Sequence, residues 1–167
     1  PRPILIDAYT VWCGPCILLD RNTFSNKDVI EYINTYFYAV KFNAEGDEVV
    51  NFQGKTFDNP NYSHKRSKTR NSTHSLTQYL GVSGYPTIVF FDEKGNYITP
   101  ITGYLTPTQI EIYLKLVNQK DYLNFNSRED FTIYIKEFEY QFKSWFLDYF
   151  FKKRLVWAYF FFQYESK

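Results

Sequence analysis

Methionine is missing from this 167-residue chain, cysteine occurs only twice, and neither sign of charge prevails: 19 Lys and Arg stand against 18 Asp and Glu, a net charge of +1. Each shortage excludes something. Without an excess of charge there is no overall field of the kind that gathers nucleic acid or anionic lipid, so partners must be recognised locally. Two cysteines inside one four-residue motif cannot supply the framework of a disulfide-rich mini-protein. A loop that short closes little chain entropy, which makes a working thiol pair the better reading than a staple. Zinc would need four ligands, and with no second cysteine pair only His64 and His74 are left to complete the set. The longest apolar run, 155–164, falls short of the roughly 18 residues that cross a bilayer. The lack of Met sets the expectation that a segment preceding Pro1 was processed away, a signal peptide being one kind.

What the chain does have is aromatic: 16 Tyr, 17 Phe and 3 Trp, half of them beyond residue 119. Its length suits one sizeable core with an appendage. Ile4 to Tyr9 is a short apolar run that reads as a buried central strand, in which Asp7 is out of place. After Pro15, the residues Ile17, Leu18, Phe24, Val29, Ile30 and Ile33 recur at helical spacing, with a break and a new cap near Ser25 and Asn26. The aromatic and β-branched stretch 36–42 is a second strand, and strand, helix, strand implies a right-handed parallel crossover. Residues 44–71 form an irregular polar insert with a small hairpin around Gly54 and a basic run at 64–70, expected to be solvated, with contact to an acidic client or lipid headgroups as the alternative. Ser72 or Thr73 is expected to cap a short helix carrying Leu76, Tyr79 and Leu80. A buried strand at 87–91 and another at 97–102 form a hairpin, and Thr106-Pro107 opens a helix with Ile110, Tyr113, Leu114 and Val117 on its apolar face.

From Ser127, a capping-box start, Phe131, Ile135, Phe138, Phe142, Trp145, Phe146 and Tyr149 follow at three- and four-residue steps and predict one helix. The organisation read from this is an α/β domain over 1–118 and an aromatic-rich helical extension over 119–167. So many rings must be covered, by the core or by each other. The alternatives are a homo-oligomer interface or a surface-lying membrane contact with Lys152, Lys153 and Arg154 at the headgroups.

The motif Trp12-Cys13-Gly14-Pro15-Cys16 follows a strand and opens a helix, the context that turns Cys-x-x-Cys into a redox hypothesis. At a helix N-terminus the Cys13 sulfur meets unpaired N–H groups that favour the thiolate, the only form that attacks. Cys16, one turn deeper, suits the step that breaks a mixed disulfide. Gly14 and Pro15 shape the turn, and Trp12 covers it as an apolar docking surface or as a packed ring.

Ile4 to Cys16, then Gly84-Tyr85-Pro86-Thr87, then Gly103, resembles the thioredoxin family in order over about residues 4–118. The resemblance implies a thioredoxin-like α/β fold, β-α-β then α-β-β-α, with helices flanking a four-stranded mixed sheet of order 2-1-3-4. It implies that Cys13 is the nucleophile and Cys16 the resolving cysteine. Pro86 resembles the family's cis-proline, beside which the Tyr85 backbone pairs with a substrate strand, and Gly103 matches its later glycine. Asp7 matches the buried acid that accepts a proton from Cys16, a buried Asp bonded only to backbone being the alternative, and Lys41 matches the lysine that can pair with that acid, a rim lysine being the alternative. The implied activity is protein-disulfide reduction without any cofactor beyond the dithiol itself, with a disulfide-bearing client protein and an upstream redox partner. Disulfide oxidation or isomerisation, and a peptide-binding module with dispensable cysteines, are the alternatives. The long insert and extra helix resemble thioredoxin-like proteins of bacterial envelopes, which implies the periplasm or another envelope compartment, with the cytoplasm as the alternative. The chain departs from the family at Ile17, where a basic residue is common, at Tyr9, where tryptophan is usual, and in lacking the proline that kinks the active-site helix.

Overall fold

The computed structural model describes residues 1–143. β1 (Ile4–Tyr9) leads into α1 (Gly14–Leu19), a π-helical turn (Asp20–Phe24) and α2 (Lys27–Tyr36), and the chain returns as β2 (Tyr38–Asn43). A small hairpin, β3 (Val50–Phe52) and β4 (Lys55–Phe57), precedes an irregular arm and α3 (Ser75–Tyr79). Then come β5 (Thr87–Phe91), β6 (Tyr97–Thr102), α4 (Pro107–Gln119) and α5 (Arg128–Glu137). The main sheet runs β2-β1-β5-β6, with β1 and β2 parallel and the remaining pairs antiparallel. This is the mixed sheet and the strand order that the family resemblance implies.

β1 and β5 lie at the centre with both faces covered, which is why they read as apolar runs, interrupted in β1 by Asp7. Alternate side chains divide between two cores. Leu5, Ile88 and Phe90 pack with Leu19, Val29, Ile33, Ile110 and Leu114 from the helices, while Ile6, Val89 and Phe91 pack with Phe42, Phe57, Leu76 and Leu80 on the other side. Full burial of each such side chain contributes about 1.5–3 kcal/mol, so the sheet is clamped from both faces. At the edge, β2 buries only Phe42 and leaves Tyr38 to Lys41 exposed.

Several helix details differ from expectation. In α1 the inward positions are Cys16 and Leu19, three residues apart, and this turns Ile17 and Leu18 to solvent at 59% and 47% exposure. Asn26 does cap α2, its side-chain oxygen accepting the N–H groups of Asp28 and Val29. The cap of α3 is His74 instead of Ser72 or Thr73. Its buried ring accepts the Leu76 N–H at Nδ1 (3.0 Å) and reaches the Glu48 carbonyl from Nε2 (2.7 Å), which places the proton on Nε2.

α5 starts at Ser127, with Asp130 completing the capping box, but stops at Glu137, short of the single helix expected through Tyr149. The backbone beyond it is claimed by other elements. Glu111 of α4 is fully buried and accepts the N–H groups of Gln141 (2.8 Å) and Phe142 (2.9 Å), while pairing with Lys115 (2.6 Å). Asp28 and Asn26 of the α2 start hold the Lys143 N–H and carbonyl, each at 2.8 Å. Phe142 thereby enters the helical-side core, edge-on to Tyr32. Tertiary hydrogen bonds thus replace those that would continue the helix. Phe131 contacts Tyr113 of α4, and Phe125, Tyr134 and Phe138 extend the ring chain along α5. Trp145, Phe146, Tyr149, the basic trio 152–154 and the run 155–164 lie outside the described residues. Among the described residues no helix is long and apolar enough to cross a membrane.

Candidate active site

Beyond β1 the chain turns through Thr10 to Trp12, and the Cys13 N–H donates back to the Thr10 carbonyl at 3.2 Å. Cys13 occupies the cap position of α1 in extended backbone geometry, Gly14 and Pro15 form the first turn, and the Cys16 N–H points at the Cys13 Sγ (3.1 Å). Proline is accommodated there because a first-turn N–H has no helical partner to lose. The two sulfurs are bonded to each other across a Cα separation of 5.3 Å. Cys13 and Cys16 are almost equally covered, at 3% and 4% exposure, so overall burial does not separate an attacking from a resolving sulfur. The N–H aimed at the Cys13 sulfur is an asymmetry between them, and such a donor favours negative charge on the sulfur it meets.

The Tyr85–Pro86 peptide bond is cis, and the Gly103 N–H donates to the Pro86 carbonyl at 2.8 Å. Thr87, the next residue, pairs in register with Ala8 near the motif end of β1. Tyr85 meets the Trp12 ring edge-on at 6.0 Å. Trp12, Cys13, Gly14, Pro15, Cys16, Tyr85, Pro86 and Gly103 are therefore gathered at one end of the sheet. Gly103 has φ +109°, a conformation that residues with a Cβ rarely adopt.

Asp7 shares the sheet face of Leu5, the face covered by α1 and α4. Its Oδ1 is buried with no hydrogen-bond partner, and so is the Thr10 hydroxyl. Burial pushes the Asp7 carboxyl up to about 6, with the Asp20 charge adding to the rise and the Lys41 ammonium opposing it. Lys41 sits opposite Asp7 in the β1–β2 register, yet its ammonium bonds Asp20 and lies 4.8 Å over the Tyr9 ring. Lys41 thus acts on Asp7 only through its charge, while its ammonium is bonded to Asp20 at the rim of the sheet. Both partners are half exposed, and a lysine that keeps its head in water avoids the desolvation that joining the buried acid would demand.

Three residues were missed by reading the sequence. Asp20 borders Asp7 electrostatically, Glu45 Oε2 accepts the Trp12 indole N–H (2.7 Å) and the Asn71 N–H (2.8 Å), and the Arg70 guanidinium covers the Trp12 ring at 4.3 Å. No spacing rule links positions 12, 45 and 70, which only the folded arm brings together.

A disulfide-bonded cysteine pair at a helix start, a cis-proline at the same end of the sheet and a buried acid in the central strand of a four-stranded mixed sheet define a protein of the thioredoxin class. The family model described as a thioredoxin-like domain matches residues 1–118, and the chain belongs to that family. It is similar to the thiol:disulfide interchange protein DsbD of Pectobacterium atrosepticum, at 26% identity over 117 residues, which cover 69% of this chain and 16% of that protein. The DsbD of Yersinia pestis is 28% identical over 117 residues, with 68% and 16% covered. The matched region thus spans about a sixth of the length of these curated relatives. Among solved structures, a thioredoxin-fold protein from Helicobacter pylori superposes with a TM-score of 0.58 at 23% identity, covering 81% of this chain and 83% of that one, and so supports the fold.

Proposed function

We propose that the chain is a thiol–disulfide oxidoreductase that reduces disulfides of client proteins. One observation carries this reading: Cys13 and Cys16 bond to each other at the start of a helix, with a backbone N–H aimed at the Cys13 sulfur. In the reduced enzyme the Cys13 thiolate attacks a client disulfide, forming a mixed disulfide and expelling one client thiolate. Cys16, deprotonated by Asp7 directly or through water, then attacks the Cys13 sulfur. The second client thiolate leaves and the Cys13–Cys16 bond closes, so two electrons pass to the client and the enzyme is oxidised. Asp7 is suited to that proton transfer because a carboxyl titrating near 6 with an unpartnered oxygen can take and return a proton close to neutral pH. An upstream thiol donor must then reopen the pair.

Trp12, Tyr85 and the exposed Ile17 and Leu18 give the motif apolar surroundings, and the Tyr85 backbone ahead of cis-Pro86 is the segment that pairs with an extended client strand in this reading. The Gly-Pro pair between the cysteines is the one found in reducing thioredoxins, which favours reduction over oxidation. The similarity to DsbD and the extra helix favour a cell-envelope location. The equilibrium potential of the Cys13–Cys16 couple tests the direction. A value near about −270 mV supports a reductase, and one near about −120 mV makes it an oxidant.

A further inference from the structure

The arm between β4 and α3 carries a basic loop that the exchange mechanism does not use. Asn71 clamps its base, donating from Nδ2 to the Ser63 carbonyl and accepting the Ser63 N–H at Oδ1, both at 2.9 Å. Between these two residues His64, Lys65, Arg66, Lys68 and Arg70 are all exposed. His64 faces Asp47 at 3.8 Å, whereas Lys65, Arg66, Lys68 and Arg70 have no ion pair among the described residues. With a net charge of only +1 on the whole chain, this is a local concentration of positive charge.

Its end is fixed against the redox motif. The Arg70 guanidinium lies over the ring of Trp12, the residue before Cys13, at 4.3 Å, while Glu45 ties the Trp12 indole to the Asn71 backbone. The stacked guanidinium is already oriented, its N–H donors make no hydrogen bond among the described residues, and a planar fork of that kind matches a carboxylate. Loss of rotamer freedom has been met in the free protein, so binding forfeits less.

We propose that the 64–70 loop is a specificity site for acidic client segments, in which an Asp or Glu near the client disulfide pairs with Arg70 and further carboxylates meet Lys65, Arg66 and Lys68. The inference rests on the exchange function proposed above. A peptide is favoured over a lipid surface because the loop borders the residue next to the reacting sulfur and has no apolar side chain between His64 and Arg70 to enter a membrane.

The test compares peptides that share one disulfide but carry Glu or Lys flanks, with hydroxyethyl disulfide as a small neutral control. At low salt the acidic peptide should be reduced about tenfold faster in kcat/KM than the basic one, and the gap should close as salt rises. The triple variant Lys65→Glu, Arg66→Glu, Lys68→Glu should invert the order while turning over the neutral disulfide as the natural chain does. Equal rates for both peptides, with the neutral control still active, would overturn the specificity site and leave the exchange function standing. Failure of the natural chain on the neutral control would instead remove the exchange function itself. Vesicles of phosphatidylglycerol that bind the chain through this loop and displace the acidic peptide would also overturn the proposal, by making lipid the occupant.

Discussion

Asp7 and Glu111 are both buried carboxylates, one in the central strand behind the disulfide and the other in α4 beneath the C-terminal arm. Glu111 has a partner for each oxygen, two backbone N–H groups and the Lys115 ammonium. Asp7 has a buried oxygen with none. The contrast teaches how one fold uses the same functional group twice. At Glu111 the hydrogen bonds fasten the C-terminal arm to α4. At Asp7 one oxygen has none and burial raises the acid toward neutrality, which suits the proton transfer proposed for it.

The largest effect expected from breaking this contrast is at Glu111. Glu111→Ala leaves Lys115 buried without its acid and frees two N–H groups, and should cost about 3–5 kcal/mol in urea unfolding. The rate of disulfide exchange per folded molecule should not change, since the residue lies outside the redox site.

Asp7→Asn should act in the opposite sense. The folded carboxyl is raised to about 6 from an ordinary 3.8, so the ionised form weighs against folding above about pH 6, and that burden fades as pH falls through 6 toward 3.8. The variant should gain about 3 kcal/mol at pH 8 and almost nothing at pH 3.5, measured by denaturant unfolding across pH. Release of client from the mixed disulfide should slow, because the proton acceptor for Cys16 is gone.

The smallest change sharpens the electrostatics. Asp20→Asn removes a neighbouring negative charge and frees Lys41, and both effects should lower the Asp7 carboxyl below about 6 in a carboxyl-resolved NMR titration. An unchanged value would show that burial alone sets it, and a higher one would contradict the charge effects assigned to Asp20 and Lys41.

Much of the fold was legible because its signals are local. The apolar runs of β1 and β5, the Asn26 and Thr106 caps and the Ser127 capping box each act within a few residues, and each stands where the sequence puts it. The cysteine motif was legible for the same reason, whereas Pro86 was legible only through the resemblance to the family. The end of α5 was not. The periodicity of Phe138 and Phe142 continues a helix, but Glu111, thirty residues earlier in the chain, captures the backbone there and outweighs it. The His74 cap, the Lys41–Asp20 pair and the Glu45–Trp12–Arg70 assembly are likewise tertiary, built from residues whose types are unremarkable singly.

The identity of the attacking sulfur tests the account most directly, since Cys13 and Cys16 are covered alike and only the N–H aimed at Cys13 distinguishes them. Each single-cysteine variant can be mixed with a disulfide-bearing peptide and the adduct located by mass spectrometry. The account predicts a stable adduct on Cys13 in Cys16→Ser, forming at least about tenfold faster than any adduct on Cys16 in Cys13→Ser. Equal rates, or a faster adduct on Cys16, would contradict it.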